Sequence, residues 1–178
     1  MVAPATAAGP VAAGADAVWR ILGSIPDPEI PVISICDLGF VRDVAIDAGE
    51  VRIVITPTYS GCPAMDAIEE DIRSRLAQAG FARVAISTTL TPAWTTDWMN
   101  EGARERLREY GIAPPAHSAG HAPAPAIVRF VTHRHAGPAC PLCGSQDTEL
   151  LSQFASTACK ALYRCVECRE PFDYFKPI

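Results

Sequence analysis

Two Cys-x-x-Cys pairs near the C-terminus constrain this chain more than any other feature of its sequence. The first pair is Cys140 and Cys143, and the second pair is Cys165 and Cys168. Four thiolates are enough to close a tetrahedral metal site, and zinc in such a site leaves no open position for water or substrate. The spacing therefore predicts a structural zinc ribbon. The alternatives are a site without metal and a redox-active or iron-binding tetrathiolate site, which could transfer electrons.

A proline-rich segment divides the chain into two parts. Residues 113–126 contain four prolines among alanines and show no apolar periodicity, which is typical of a stiff linker. We therefore expect an N-terminal domain at 15–112 and a C-terminal ribbon at 127–178, the latter small enough to need its metal for stability. Residues 1–14 are rich in alanine, proline and glycine, and we expect a disordered tail there.

Charge and hydropathy argue against two kinds of partner. The chain has 178 residues and a formal net charge of −5. Residues 1–126 hold nine basic and fifteen acidic side chains, for −6, and residues 127–178 hold six and five, for +1. Neither part has the basic stripe of a nucleic-acid-binding protein. No apolar run is long enough to span a bilayer, and cysteines in metal spacing suit a reducing compartment. We expect a cytoplasmic protein that binds neither nucleic acid nor membrane.

Apolar periodicity predicts alternating helices and strands in the N-terminal domain. Apolar residues at spacings of three and four predict one amphipathic helix, and the turn at 47–50 predicts a hairpin. The predicted elements are a helix at 15–22, strands at 41–46 and 51–56, a helix at 65–79, a strand at 81–89 and a helix at 97–110 that buries Met99, Ala103, Leu107 and Tyr110. The expected class is α+β: a small α/β domain with a mostly antiparallel sheet and flanking helices, followed by a β zinc ribbon.

The segment between the second strand and the following helix carries a cysteine at a special position. Pro63 suits the first helical position, where a missing N–H costs nothing, so Cys62 is the expected N-cap. A thiolate there meets the positive end of the helix dipole and unpaired backbone N–H groups, which lower its pKa and favour nucleophilic or metal-binding chemistry. Gly61 leaves room for another group to approach. The alternative is a small capping residue that happens to be cysteine.

Three short motifs of the N-terminal domain resemble the SufT-like iron-sulfur cluster assembly family. They are the DPE-x-P segment at 27–31, the D-L-G turn at 37–39 and the Gly-Cys-Pro run at 61–63. The resemblance covers about residues 15–112 and implies a small α/β fold with a functional thiol that binds iron or an iron-sulfur cluster transiently. The residues that we assign to this thiol and its pocket are Cys62, Asp37, Gly61 and Thr58.

The C-terminal segments at 140–145, 156–165 and 170–176 resemble the PaaD (PaaJ) family of bacterial phenylacetyl-CoA epoxidase systems. The resemblance implies an accessory subunit in aerobic phenylacetate catabolism that helps to mature an iron-sulfur or iron centre of the oxygenase or reductase subunits, its expected partners. The alternative is a structural subunit that holds the oxygenase complex together, and we also consider a homodimer. No residue is assigned a catalytic role, because the sequence has no phosphate-binding glycine loop, no dinucleotide fingerprint and no nucleophile–base pair at an interpretable spacing.

Three further residues have two interpretations each. We expect Cys36 to be a small buried residue, or else to lie near Cys62 and share a ligand with it. Cys159 is expected to be a buried core thiol, with a ligand or redox role facing the N-terminal domain as the alternative. Lys160 is expected to be solvated, or else to meet an acidic partner surface.

Overall fold

A computed structural model describes residues 10–116 and 137–178, with side chains from residue 14 onward. Its α-helices are α1 (Pro10–Leu22), α2 (Ala64–Gln78) and α3 (Glu101–Glu109). Its strands are β1 (Val41–Asp47), β2 (Glu50–Ile55), β3 (Val84–Thr88), β4 (Ile112–Ala113), β5 (Thr148–Ser152), β6 (Lys160–Cys165) and β7 (Pro171–Phe175). The α+β prediction is confirmed. Within the described part of the chain, no helix is long and apolar enough to cross a membrane.

The chain divides into two compact units, Met1–Pro92 and Ala93–Ile178. We predicted the domain boundary after residue 112. The structure instead places it after Pro92 and groups α3 with the ribbon strands. The described start of the predicted linker also belongs to the second unit, because Ala113 lies in β4. The rest of that linker, the first nine residues and the stretch at 127–136 lie outside the described residues.

The first unit contains a three-stranded sheet in the order β1-β2-β3. A two-residue turn joins β1 to β2, and its central residues Ala48 (φ 47°) and Gly49 (φ 78°) both have the positive φ that a type I′ hairpin requires. Strands β2 and β3 are parallel, because helix α2 crosses over between them. The sheet is therefore mixed, and the expectation of a mostly antiparallel sheet is corrected.

Helix α2 and strand β2 supply apolar faces of the first core. Three residues of the predicted stripe on α2, Ile68, Ile72 and Leu76, are buried, whereas Met65 is half-buried and Ala79 is exposed just beyond the helix. On β2, Val51, Ile53 and Ile55 are buried while the residues between them are more exposed. Each fully buried side chain of this size stabilises the fold by about 1.5–3 kcal/mol. The first unit is thus held by burial of apolar surface.

The second unit contains a four-stranded sheet in the order β4-β7-β6-β5. Strand β4 pairs with β7 in parallel, and the other two pairings are antiparallel. The segment before α3 also packs on β7, where the rings of Trp94 and Phe175 lie 6.0 Å apart. The buried Arg104 of α3 donates to the Pro115 carbonyl at 2.6 Å and to the Thr96 carbonyl at 2.8 Å. These contacts explain why residues from Ala93 onward belong to the ribbon unit.

The helix predicted at 97–110 is interrupted. A 3-10 turn spans Thr96–Trp98, and Asn100 then caps α3 by accepting from the Ala103 N–H at 2.7 Å. Tyr110 was expected to face inward, but it is 52% exposed. Helix α3 ends one residue before it, and Gly111 (φ 91°) turns the chain away.

We expect a fragment of residues 93–178 to fold with metal, and a fragment limited to the predicted ribbon, residues 127–178, not to fold. The shorter fragment lacks β4, α3 and the Trp94 ring that packs on Phe175. Thermal unfolding of each zinc-loaded fragment, followed by circular dichroism, checks this. Equal, cooperative transitions in the two fragments would contradict the grouping of α3 with the ribbon.

Candidate metal centre and thiol site

The Cys62 loop leaves the first sheet at the end where β1 begins. The antiparallel pairing of β1 with β2 puts the start of one strand beside the end of the other. The Thr56 N–H, just after β2, donates to the Phe40 carbonyl, just before β1, at 2.8 Å. Asp37 lies four residues before β1 and Cys62 seven residues after β2. The topology therefore places both predicted site segments at the same end of the sheet.

Cys62 lies one residue further from helix α2 than predicted. Helix α2 begins at Ala64, and its N-cap is Pro63 (φ −69°, ψ −18°), which has no side-chain capping bond. The expected N-cap position of Cys62 is therefore wrong by one residue, because the proline itself takes up helical angles ahead of the first helical residue. The Met65 N–H donates to the Cys62 carbonyl at 3.3 Å. Cys62 is half-buried and stays within reach of the positive end of the helix.

The other two residues of the predicted loop site differ in exposure. Thr58 is 8% exposed, so most of it lies inside the fold. Gly61 is exposed, and a Cβ added there would only touch Tyr59 Cε2 at 3.9 Å. The fold itself therefore leaves space above the loop at Gly61, as the sequence predicted.

The acidic motif residues of the first unit take part in turns. Asp37 Oδ2 accepts from the Ser34 N–H at 2.9 Å, and Ser34 Oγ accepts from the Asp37 N–H at 3.1 Å. Gly39 (φ 71°) has the left-handed conformation that favours glycine. Asp27 is buried and accepts from the N–H groups two and three residues ahead, at 2.9 and 2.8 Å. The DPE-x-P and D-L-G motifs thus have clear roles in the fold.

Cys36 is half-buried. Burial and, secondarily, the negative charge of Asp37 raise the pKa of the Cys36 thiol to about 12. It is therefore a neutral thiol at physiological pH, which makes it a poor nucleophile. This half-buried, neutral thiol fits the expectation of a small buried residue better than shared metal binding with Cys62.

The four predicted ligand cysteines come together in the second unit. Their sulfur atoms lie within 4.8 Å of one another. Cys140 Sγ is 3.8 Å from Cys168 Sγ, and Cys143 Sγ is 3.5 Å from Cys165 Sγ. Four sulfurs placed tetrahedrally at about 2.3 Å from zinc are about 3.8 Å apart. The donor set and its spacing therefore fit a closed tetrathiolate metal centre.

The two cysteine turns have matching backbone geometry. The N–H of the first cysteine in each turn donates to the carbonyl five residues ahead, from Cys140 to Ser145 at 2.9 Å and from Cys165 to Glu170 at 3.0 Å. The residue four positions after that cysteine has positive φ in both turns: Gly144 (78°) in one and Arg169 (63°) in the other. Arg169 thus occupies in the second turn the place that Gly144 occupies in the first.

A backbone hydrogen bond also prepares one thiolate. The Cys168 N–H donates to Cys165 Sγ at 3.5 Å and lowers the pKa of the Cys165 thiol to about 7. The turn therefore favours the ionised form that binds metal.

The two secondary candidates, Cys159 and Lys160, contact other residues within the second unit. Cys159 is buried, lies outside the cluster of four sulfurs, and has its Sγ 3.1 Å from Thr157 Oγ1. Lys160 was expected to be solvated, but it is only 5% exposed. Its Nζ lies 2.9 Å from Asp173 Oδ2 on the adjacent strand β7. The carboxylate offsets the cost of burying the ammonium group.

The fold and the two cysteine sites define a class of protein in which an iron-sulfur assembly domain is joined to a zinc ribbon. Residues 15–93 match the family described as iron-sulfur cluster assembly protein. Residues 125–176 match the family described as PaaD zinc beta ribbon domain. The first match ends beside the boundary between the two compact units at Pro92.

Whole-chain similarity then gives the family. A protein of Escherichia coli strain K12, named as the D subunit of 1,2-phenylacetyl-CoA epoxidase, is 54% identical over 162 residues, which cover 90% of this chain and 92% of that protein. The chain belongs to the family of phenylacetyl-CoA epoxidase D subunits.

Two further proteins resemble part of the chain. An Fe-S protein maturation auxiliary factor of Porphyromonas gingivalis strain W83 is 42% identical over 60 residues, or 33% of this chain and 56% of that protein. The chain thus matches little more than half of that relative. A crystal structure of a domain of unknown function (DUF59) from Bacillus anthracis has a TM-score of 0.51 at 26% identity, covering 55% of this chain and 93% of that chain. This likeness supports the α/β fold of the N-terminal part.

Replacing Cys165 by serine is expected to remove the bound metal and unfold the second unit. Structural zinc contributes about 10–16 kcal/mol of apparent binding free energy in zinc-finger peptides, comparable to the whole stability of a domain. Metal analysis by mass spectrometry and near-ultraviolet circular dichroism check this. Cys62→Ser is the matched control and should keep its metal. A metal-loaded, folded Cys165→Ser protein would show that the tetrathiolate centre is wrong.

The raised pKa of Cys36 predicts a pH dependence of stability. The folded protein keeps this thiol protonated up to a pKa of about 12, whereas the unfolded chain loses the proton near its usual value of about 8.5. The unfolded state therefore binds fewer protons above that pH, and stability falls as pH rises. Denaturant titrations at pH 8 and pH 10 should show a smaller loss in Cys36→Ser than in the wild type. Equal losses would contradict the burial argument.

Proposed function

We propose that this protein is a cytoplasmic accessory subunit of a phenylacetyl-CoA epoxidase system in aerobic phenylacetate catabolism. It assists the maturation of an iron-sulfur or iron centre in the oxygenase or reductase subunits, which are its partners. One observation carries the proposal: a chain 54% identical to an epoxidase D subunit over 90% of its length also has an iron-sulfur assembly domain at residues 15–93. A subunit with a purely structural role in the complex would not need an iron-sulfur assembly domain.

Cys62 is the residue proposed to hold the cargo. It lies at the end of α2 whose N-cap provides no side-chain hydrogen bond, so the helix can stabilise a thiolate there. Asp37, Gly61 and Thr58 complete the proposed pocket. Iron-sulfur clusters are held by several thiolates, and this site offers one from its own loop. The remaining ligands would come from the protein that donates or receives the cargo, which suits transfer better than storage.

The ribbon is proposed to hold zinc in a structural role. The four sulfurs fill a tetrahedral shell, so the centre offers no open position for substrate or for exchange of cargo. Iron in the same shell is the alternative that would allow electron transfer. A colourless purified protein with about one zinc per chain is expected from the closed donor set.

A second candidate function is that of a structural subunit. The closed tetrathiolate centre favours it, because such a centre can shape a docking surface without handling metal cargo. This function requires co-purification with the oxygenase at a fixed ratio and indifference to the Cys62 side chain.

The decisive experiment expresses the epoxidase system without this chain and restores it with wild type, Cys62→Ser or Cys36→Ser. Iron content and activity of the purified oxygenase and reductase are then measured. We expect Cys62→Ser to lower iron content and activity to the level without the chain. Cys36→Ser is the control, because Cys36 is another half-buried thiol of the same domain.

Full iron content with Cys62→Ser would reject the maturation role. If the complex then also formed at a fixed ratio, the structural function would replace it. Loss of the complex together with loss of iron would point to a folding defect, so the circular dichroism spectrum of each variant is compared first.

A further inference from the structure

The four sulfur ligands of the ribbon differ in their access to solvent. Cys140 and Cys165 are buried, Cys168 is half-buried, and Cys143 is exposed. Thiolates are the nucleophiles of thiol–disulfide exchange, and access helps to decide which one reacts. An oxidant that arrives from solvent therefore meets Cys143 first.

The nearest partner of Cys143 belongs to the other cysteine turn. Cys143 Sγ is 3.5 Å from Cys165 Sγ, whereas Cys140 Sγ contacts Cys168 Sγ at 3.8 Å. A disulfide bond is about 2.05 Å long, so the first two sulfurs need to approach by about 1.5 Å. The geometry therefore places a sulfur of the other turn within reach of a disulfide with Cys143.

A cavity lined by two basic side chains and one acidic side chain reaches one of these two sulfurs, that of Cys165. Its volume is about 270 Å³, and it is lined by Glu149, Arg164, Cys165, Val166 and Arg169. Arg164 is paired with Glu149, with Nε 2.7 Å from Oε1. Arg169 makes no ion pair with the residues that the structure describes. Its guanidinium is available to a carboxylate, which it can bind through two parallel hydrogen bonds.

We propose that Cys143 and Cys165 form a modification site for anionic low-molecular-weight disulfides such as glutathione disulfide. The Cys143 thiolate attacks one sulfur of the oxidant, the S–S bond of the oxidant breaks, and the first glutathione thiolate leaves. Cys165 then attacks Cys143 Sγ in the mixed disulfide, and the second glutathione thiolate leaves. The two cysteines lose two electrons in total, the oxidant becomes two thiols that take protons from solvent, and the centre loses two of its four ligands.

This modification goes beyond the maturation role, because it depends on the tetrathiolate centre and not on Cys62. Metal binding and folding are coupled in small metal domains. Formation of the Cys143–Cys165 disulfide would therefore release the metal and loosen the second unit, linking its folding to the thiol redox state of its surroundings.

The first test treats the full-length, zinc-loaded wild type with glutathione disulfide. A chromogenic chelator follows zinc release, and non-reducing tryptic digestion maps the disulfide. Trypsin places Cys143 in the peptide 135–160 and Cys165 in the peptide 165–169, so the proposed disulfide joins two peptides. We expect loss of the bound zinc, an early glutathione adduct on Cys143, and tandem mass spectra that assign the final bond to Cys143 and Cys165. Cys62→Ser should release zinc at the wild-type rate.

The second test asks whether Arg169 recognises the oxidant. Asparagine tolerates the positive φ of this position and removes the charge, whereas lysine keeps the charge. Arg169→Asn should react several-fold more slowly with glutathione disulfide, while Arg169→Lys should react more nearly like the wild type. With the neutral 2-hydroxyethyl disulfide, all three proteins should react at similar rates.

Three outcomes would overturn the inference: zinc retained under oxidation, a disulfide within Cys140–Cys143, or a glutathione adduct confined to Cys62. Metal content before oxidation separates the possible failures. Protein purified without metal would reject the tetrathiolate centre itself, whereas metal-loaded protein that resists oxidation would reject the modification alone. Neither result bears on the Cys62 complementation experiment.

Discussion

The convergence of four cysteine sulfurs within 4.8 Å is the constraint on which the second unit depends. Thiolates this close repel one another, so they ionise together only around a cation. One cysteine turn precedes β5 and the other joins β6 to β7. Holding the two turns together therefore fixes which strands are neighbours and helps to set their register. The apolar core of this small sheet is limited, so we expect a bound metal to supply the stability that larger domains obtain from burial of apolar surface.

The first unit depends on apolar burial, and this changes the meaning of its motifs. Asp27 and Gly39 shape the turns before β1, and Asp37 exchanges two hydrogen bonds with Ser34. The hydrogen bonds and backbone angles of these turns are enough to explain why the sequence has these residues there. Cys62 is half-buried and lies one residue before the N-cap of α2. Among these motif residues, Cys62 has the side chain best suited to bind a soft metal ion.

Local sequence patterns predicted the elements whose signals are local. The stripe on α2, the hairpin at 47–50 and the four clustered cysteines are signals of this kind. The boundary between units and the burial of Lys160 depend instead on pairing between distant segments. Lys160 becomes buried because Asp173 faces it from the adjacent strand. The residues next to Lys160 in the sequence do not predict its pairing with Asp173, because strand pairing depends strongly on cross-strand context. The start of α2 was missed by one residue because proline has helical angles at either position.

The observed boundary also sharpens the electrostatic contrast between the two units. Counted to residue 92, the first unit holds six basic and eleven acidic side chains, for −5, and the second holds nine of each, for zero. The whole excess of negative charge therefore belongs to the unit that carries Cys62. Such a charge raises the local concentration of cations and favours encounters with basic surfaces. The second unit has no net charge, so we expect its contacts with a large partner to depend more on shape and on its exposed apolar side chains. The two units thus offer a partner different forces: attraction over distance from one, and short-range complementarity from the other.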